Sequence, residues 1–407
     1  MLRNSRRFFR AGDGRYPIFA YALVIFFWTL ADATGQYIAP LLMQAHGFSF
    51  TMIGFILGTS SITGAAFDFF VSLIFKNTNF RRLLMIMFAL CLVYPVMLWT
   101  ANSFWLFLLA MAVWGVYFDL YNISTFDFIS RYTSRSRNAS GFGTVQIFRS
   151  LGLIVAPLVI GFIVVETVDW RAFSLYWLYI LVAMLVFAPL LYLVRGMNAH
   201  EAHGHKRRNI LVELNLWRRV GGSLFPILVL VCHLYMMEAF FWTLAPLYAQ
   251  SVSLGGFGGL FLMAYSLPVL VVGWVVGSLT HRFGKRRTAF VSLLIGSSIL
   301  SMFVLVPEGV PVIALVLTAT FFTSMSLPAI SATFADYILD NLAIEGEVEA
   351  LEDMAANIGY IVGPMGAGLL ADLVGMSGTF SLLGLFGAVL ALLLLTTASR
   401  RSGLVGH

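Results

Sequence analysis

The sequence predicts an all-α integral membrane protein of twelve transmembrane helices, built as two related sets of six. Three observations carry this. Hydrophobic residues make up 60% of the 407 residues and charged residues only 11%, with a mean hydropathy of +0.89. A soluble globular chain is nearer half apolar and a quarter charged. Apolar runs of about 20 residues recur from end to end, each long enough to cross ~30 Å of hydrocarbon. The third observation is a repeat. Gly152-x3-Ala156-Pro157-x3-Gly161 followed by Phe173 returns as Gly359-x3-Gly363-Pro364-x3-Gly368 followed by Phe380, all five positions at an offset of 207. Ala39-Pro40-Leu41-x2-Gln44 returns as Ala245-Pro246-Leu247-x2-Gln250 at an offset of 206, which also carries Asp32 onto Glu238. Two such pairs, in order and at nearly one offset, indicate duplication.

In lipid, only helices and closed barrels satisfy the backbone. The runs lack the period-two alternation of a barrel, so they are read as helices. The first half has spans at 17–45, 52–75, 83–100, 104–128, 141–165 and 172–194. The second has spans at 222–250, 257–280, 288–306, 311–336, 352–372 and 378–397. Between the halves runs a segment from Arg195 to Gly221 that contains Lys206, Arg207, Arg208, Arg218 and Arg219. The expected organisation is therefore an N-terminal six-helix bundle at 1–194, a basic linker at 195–221 and a C-terminal bundle at 222–407.

Basic residues orient the spans. The amino-terminal tail carries Arg3, Arg6, Arg7, Arg10 and Arg15. Alternate loops then carry Lys76, Arg81 and Arg82; Arg131, Arg135 and Arg137; the linker; and Arg282, Lys285, Arg286 and Arg287. The loops between these hold one basic residue, Arg171. Both termini and the linker are expected on the cytoplasmic side of a cell membrane. The net charge of +6 is divided among these loops, which argues against a nucleic-acid partner. The first run is too long for a cleaved signal and lacks a small-residue cleavage site. Cys91 and Cys232 both fall inside spans, so neither a disulfide framework nor a cysteine metal site is expected. His200, His203 and His205 stand in the linker, where a solvated basic segment is the expected reading. No cofactor is implied, and the absence of a phosphate-binding Gly-rich loop with Lys-Ser/Thr leaves direct ATP drive unsupported.

This organisation resembles the major facilitator superfamily. Gly273-x3-Gly277-x-Leu279-x-His281-Arg282-Phe283-Gly284-Lys285-Arg286-Arg287 is similar to the family's loop motif, with His281 where that motif has Asp. The run from Gly152 to Gly161 resembles the fifth-helix motif associated with exporters that exchange substrate for protons; Ala156 and Ile160 replace two of its glycines. The fourth-helix Arg of many drug exporters is missing, since Met111-Ala112-Val113-Trp114 precedes Gly115. Small residues one turn apart also let helices approach closely whatever the family. Pro157 and Pro364 each free a carbonyl and permit a bend, so these motifs serve packing, hinging or both.

Ionisable groups at membrane depth are costly and usually face a cavity or a partner. Asp32 lies near mid-span with Gln36 one turn later on the same face. Glu238 sits at the equivalent depth, with His233 shortly before it. Asp119 is past the middle of the fourth span and Arg149 near the middle of the fifth. The resemblance implies that the first, fourth, seventh and tenth helices line a central cavity. A carboxyl group there can exchange a proton near neutral pH. Arg149 is expected either to pair structurally with Asp119 or to bind an anionic substrate group. Trp28, Trp114, Tyr117, Tyr121, Tyr235 and Trp242 fall on the same helices and suit a partly apolar substrate, although ordinary packing explains them equally. On the cytoplasmic side, the basic loop of Arg131, Arg135 and Arg137 has an acidic repeat counterpart containing Glu345, Glu347 and Glu349, a candidate gate. The expected protein is a monomeric secondary transporter that exchanges protons for small molecules, not an enzyme. Proton-coupled uptake and a sensor that binds without flux are the alternatives.

Overall fold

The computed structural model describes residues 15–74, 79–133, 138–165, 167–194, 210–252, 257–340 and 345–402. Among these, every regular element is helical. The first half contributes α1 (Arg15–Ala45), α2 (Phe50–Ile74), α3 (Phe80–Thr100), α4 (Phe104–Tyr132), α5 (Asn138–Ile163) and α6 (Trp170–Val194). The second begins with α7 (Ile210–Ser251), followed by α8, which is broken at Leu267 into α8a (Gly258–Ser266) and α8b (Pro268–Phe283). Then come α9 (Lys285–Leu300) and α10, made of α10a (Val310–Thr323) and α10b (Ser326–Asp340). The last helical stretch, Glu345–Ser402, is interrupted at Gly375, whose φ of 74° is left-handed. It is therefore two helices, α11 (345–374) and α12 (376–402). With that division the fold has the twelve spans read from the sequence, and it is a multi-pass membrane architecture.

Helix starts and stops follow local chemistry. The α8b–α9 turn forms at Gly284, whose φ is +84°. The Asp127 carboxylate accepts the Phe80 N–H at 2.8 Å and so caps the start of α3. The start of α7 at Ile210 lies inside the stretch expected as linker; residues 195–209, with the three linker histidines, lie outside the described residues.

The chain packs as two compact units. One comprises 1–36, 63–156 and 168–205, and the other 37–62, 157–167 and 206–407. In the first unit, Tyr21 stacks on Phe128 with centroids 4.2 Å apart, and its hydroxyl lies 2.9 Å from that of Thr125. In the second, Phe241 stacks on Tyr265 at 4.3 Å. The repeat is visible in this packing. Phe173 stacks on Trp99 at 5.0 Å, and its counterpart Phe380 stacks on Phe303 at 4.7 Å. The outer surfaces are apolar instead of polar: Leu185 is 72% exposed and Trp274 83% exposed. That is the inverse of a soluble protein and is suited to contact with lipid.

Backbone-to-backbone approaches hold the second unit together. A methyl group added at Gly54 of α2 or at Gly368 of α11 would run into the facing carbonyl, Pro364 or Phe50 respectively. On the other side of the repeat, one added at Gly259 of α8a would run into the Pro157 carbonyl, and one at Gly161 would lie 2.5 Å from the Gly259 nitrogen. The two copies of the motif thus do the same work: each Pro-x3-Gly seats against the start of a neighbouring span. Pro364 cannot donate to the carbonyl of Tyr360, one turn earlier. The hydroxyl of Ser61 on α2 donates to that carbonyl at 3.4 Å. Gly359 and Gly363 face α7, where an added methyl at Gly363 would lie 2.8 Å from both the Met236 oxygen and the Ala239 side chain. Gly152 does the same towards α1, 2.8 Å from Thr29. Gly273 and Gly277 behave differently. Both face open space, so close helix approach does not explain this part of the loop motif.

Candidate functional site

The first unit buries one carboxylate among neutral donors. Asp32 is 1% exposed. Its Oδ1 accepts the Trp114 indole N–H at 2.8 Å and the Tyr117 hydroxyl at 3.0 Å. Its Oδ2 accepts the Gln36 amide at 2.8 Å. The helical period explains the set. Gln36 is one turn from Asp32 on α1, and Trp114 and Tyr117 are three apart on α4, so each pair shares a face. Around this centre, Trp28 stacks on Tyr121 at 4.3 Å and meets Tyr117 edge-on at 6.4 Å. The Arg149 guanidinium lies over the rings of Phe118 and Tyr121, 5.5 and 5.9 Å from their centroids. Tyr94 packs edge-on against Tyr117 and lies 6.1 Å from Tyr176, so a further aromatic layer closes the site.

Asp119 takes another direction. Its carboxylate is directed at Gly64 of α2, where an added methyl would lie 2.6 Å from Oδ2. The guanidinium of Arg149 lies over Phe118 and Tyr121 of α4, the same helix as Asp119.

In the second unit the half-buried Glu238 accepts the Tyr360 hydroxyl at 2.9 Å. Tyr235, three residues before Glu238, lies 5.1 Å from the same Tyr360 ring. The repeat therefore preserves the acid but not its partners: α4 supplies two of the three donors to Asp32 and α1 the third, whereas α11 supplies the donor to Glu238. Tyr360 was not among the residues expected from the sequence. The signal available was its position, a hydroxyl-bearing ring beside motif residue Gly359 where the first repeat has Leu153. Trp242 is half-buried on α7. His233 is 2% exposed and turned to α9 and α12. Its ring lies 5.3 Å from that of Phe386, and a methyl added at Gly387 would be 2.7 Å from its Nε2. Neither its ring nitrogens nor the neighbouring Ser297 hydroxyl has a hydrogen-bond partner among the described residues.

Of the gate residues, Arg131 donates from Nε to Asp127 at 2.6 Å within α4. Glu347 is buried and Glu349 exposed; Arg135 and Arg137 lie outside the described residues, as does the side chain of Glu345. Arg282 lies over the ring of Phe283, 5.3 Å from its centroid, and Arg286 is exposed.

Comparison with known proteins gives the class. The profile of the Major Facilitator Superfamily matches residues 18–344 and 234–405. The chain belongs to that superfamily, a family of transporters and not of enzymes. Among solved structures it is similar to a bacterial homolog of the human lysosomal transporter Spinster, in an inward-facing and unoccupied conformation. The TM-score is 0.72 at 14% identity, covering 95% of this chain and 97% of that one. It is also similar to the nucleoside transporter NupG, with a TM-score of 0.67 at 12% identity, covering 93% of this chain and 98% of that one. Identities this low establish the common fold alone. No curated protein matches in sequence.

Proposed function

We propose that this protein is a secondary active transporter that alternates access and exports small, partly apolar compounds in exchange for protons. The observation that carries the reading is Asp32, a carboxylate at mid-span held by three neutral donors and, among the described residues, no direct ion pair. Protonation adds a hydrogen to a group whose hydrogen-bond partners all donate. The indole N–H of Trp114 can only donate. The Gln36 amide can turn its oxygen inwards, and the Tyr117 hydroxyl can rotate. Taking up a proton therefore reorganises the contact between α1 and α4, which is how a proton can be coupled to helix movement. Glu238 and Tyr360 form the second acidic centre of the same scheme, and Arg149 supplies a cation beside the aromatic wall for an anionic group on a substrate.

Two further features support the reading. The paired Pro-x3-Gly seats at α2–α11 and α5–α8a are equivalent under the repeat, as a rocking motion about a two-fold axis requires. The fifth-helix motif resembles that of proton-exchanging exporters. In this scheme the halves 1–194 and 222–407 are the moving bodies, and both termini lie in the cytoplasm of a cell-membrane protein. The solved neighbours include a nucleoside transporter, so nucleoside-like molecules head the substrate screen.

The test uses the full-length protein in sealed vesicles with an imposed proton gradient, screened against a compound library. Substrate movement against its own gradient, opposite to proton flow, is the expected result. Movement with the protons would establish uptake. Binding of a compound without flux under any gradient would establish a sensor.

A further inference from the structure

The basic turn between α8b and α9 has no role in the proton scheme, yet it is built in an unusual way. Lys285, Arg286 and Arg287 are the first three residues of α9. The free N–H groups of a helix start already present positive potential, so acidic residues are favoured there and cations are the wrong sign. One of the three is neutralised. Lys285 Nζ lies 2.6 Å from both carboxylate oxygens of Asp336 and also donates to the Ala332 carbonyl at 3.1 Å. Arg286 and Arg287 are exposed, and neither has an anionic partner among the described residues. All three line a cavity of about 570 Å³ whose opposite wall is α10b, with Thr333 and Tyr337. The cavity thus carries two uncompensated guanidinium groups against a helix start.

Its surroundings indicate the kind of anion. About one and two turns before Thr280 at the cavity, α8b presents Gly277 and Gly273 to open space. Next to Gly273, Trp274 is 83% exposed, and Phe283, beside the Gly284 turn, is 50% exposed. The cationic cavity therefore lies at the end of a membrane span that exposes large apolar side chains on its outer surface. A free phosphate ion would use only the cations. A phospholipid would use both, with its phosphate on the guanidinium groups and a chain along α8b. Basic pockets between spans at the membrane surface recognise such headgroups, and guanidinium groups pair with phosphate oxygens two at a time.

We propose that this cavity binds the phosphate headgroup of an anionic phospholipid from the leaflet on the basic side of the membrane. The ligand is held by Arg286 and Arg287, with Asp336 limiting the available charge by occupying Lys285.

The test uses the full-length protein in nanodiscs of phosphatidylcholine containing graded amounts of phosphatidylglycerol, with bound lipid measured by native mass spectrometry after release into mild detergent. The R286Q/R287Q double variant should lose about thirtyfold in affinity for phosphatidylglycerol, the effect of removing two interfacial cations. Asp336→Asn frees Lys285 and should tighten binding by about fivefold, a gain that misfolding does not produce. R81Q/R82Q removes the same net charge from another basic loop and should leave binding unchanged. Equal losses in both double variants would reduce the effect to general attraction by the leaflet and overturn the proposal. Binding of inorganic phosphate in pure phosphatidylcholine nanodiscs, with no preference for phosphatidylglycerol, would reassign the cavity to a soluble anion and overturn it equally.

Discussion

Replacing Asp32 by Asn should uncouple transport from the proton gradient while leaving the fold intact. The two side chains have nearly the same shape. The Asn carbonyl keeps the position of Oδ1, where it still accepts from Trp114 and Tyr117. Its amide takes the place of Oδ2, and Gln36 turns its own amide by half a rotation to accept instead of donate. Three charge-assisted hydrogen bonds of about 1.5–3 kcal/mol become neutral ones of about 0.5–1.5. The loss is roughly 3–5 kcal/mol, and it is offset by several kcal/mol because an ionised group no longer has to be buried. The net change in stability is therefore small. The change in function is not. An imposed difference of two pH units is worth ~2.7 kcal/mol per proton and can drive about a hundredfold accumulation for a one-for-one exchange. The Asn variant should bring substrate only to equal concentrations on the two sides. Substrate-for-substrate exchange should persist, because the aromatic wall is untouched. Proteoliposomes preloaded at one pH and diluted into another measure both quantities. Accumulation by the variant equal to that of the unmodified protein would show that Asp32 is not the coupling group.

Tyr360→Phe removes the donor to Glu238 and should reduce gradient-driven transport about tenfold, equivalent to one hydrogen bond to a charged group; thermal stability should change little because Glu238 is half-buried, and initial transport rates test this. Gly161→Ala and Gly368→Ala place a methyl group against a facing backbone, and each should destabilise the packed ends by about 1–3 kcal/mol. Single-cysteine labelling at those ends should rise in both variants, and unchanged labelling would remove the paired-seat argument. The Asp372 carboxylate caps the start of α2, accepting the Phe50 and Thr51 N–H groups at 3.1 and 2.8 Å and the Thr51 hydroxyl at 2.6 Å. Asp372→Ala should cost about 0.5–2 kcal/mol, with faster hydrogen exchange confined to the first turn of α2.

The membrane class, the twelve spans and the duplication are all legible in the linear sequence. They follow from run length, from the cost of an unsatisfied backbone in lipid and from matched spacing, all of which are one-dimensional. Asp32 and Glu238 stand out in the sequence too, because a charge in an apolar run is visible without knowing its neighbours, and Gln36 follows Asp32 by one helical turn. The division of the last helical stretch at Gly375 was legible too, as a gap between apolar runs, although the backbone bends there with almost no break in helix. The partners come from the folded structure. Trp114 and Tyr117 were legible as aromatics on a cavity helix, but not as donors to Asp32. Tyr360 stands beside motif residue Gly359, but its place in the chain does not say that its hydroxyl meets Glu238. Gly277 and Gly363 look alike as small residues in a motif, yet one faces open space and the other the backbone of α7. Each residue turns a helix by 100°, so the neighbour a side chain meets depends on how the helix is rotated in the bundle. In lipid that rotation is set by the packing of small side chains and hydrogen bonds across helices, not by the burial of an apolar face, and the linear pattern therefore does not record it.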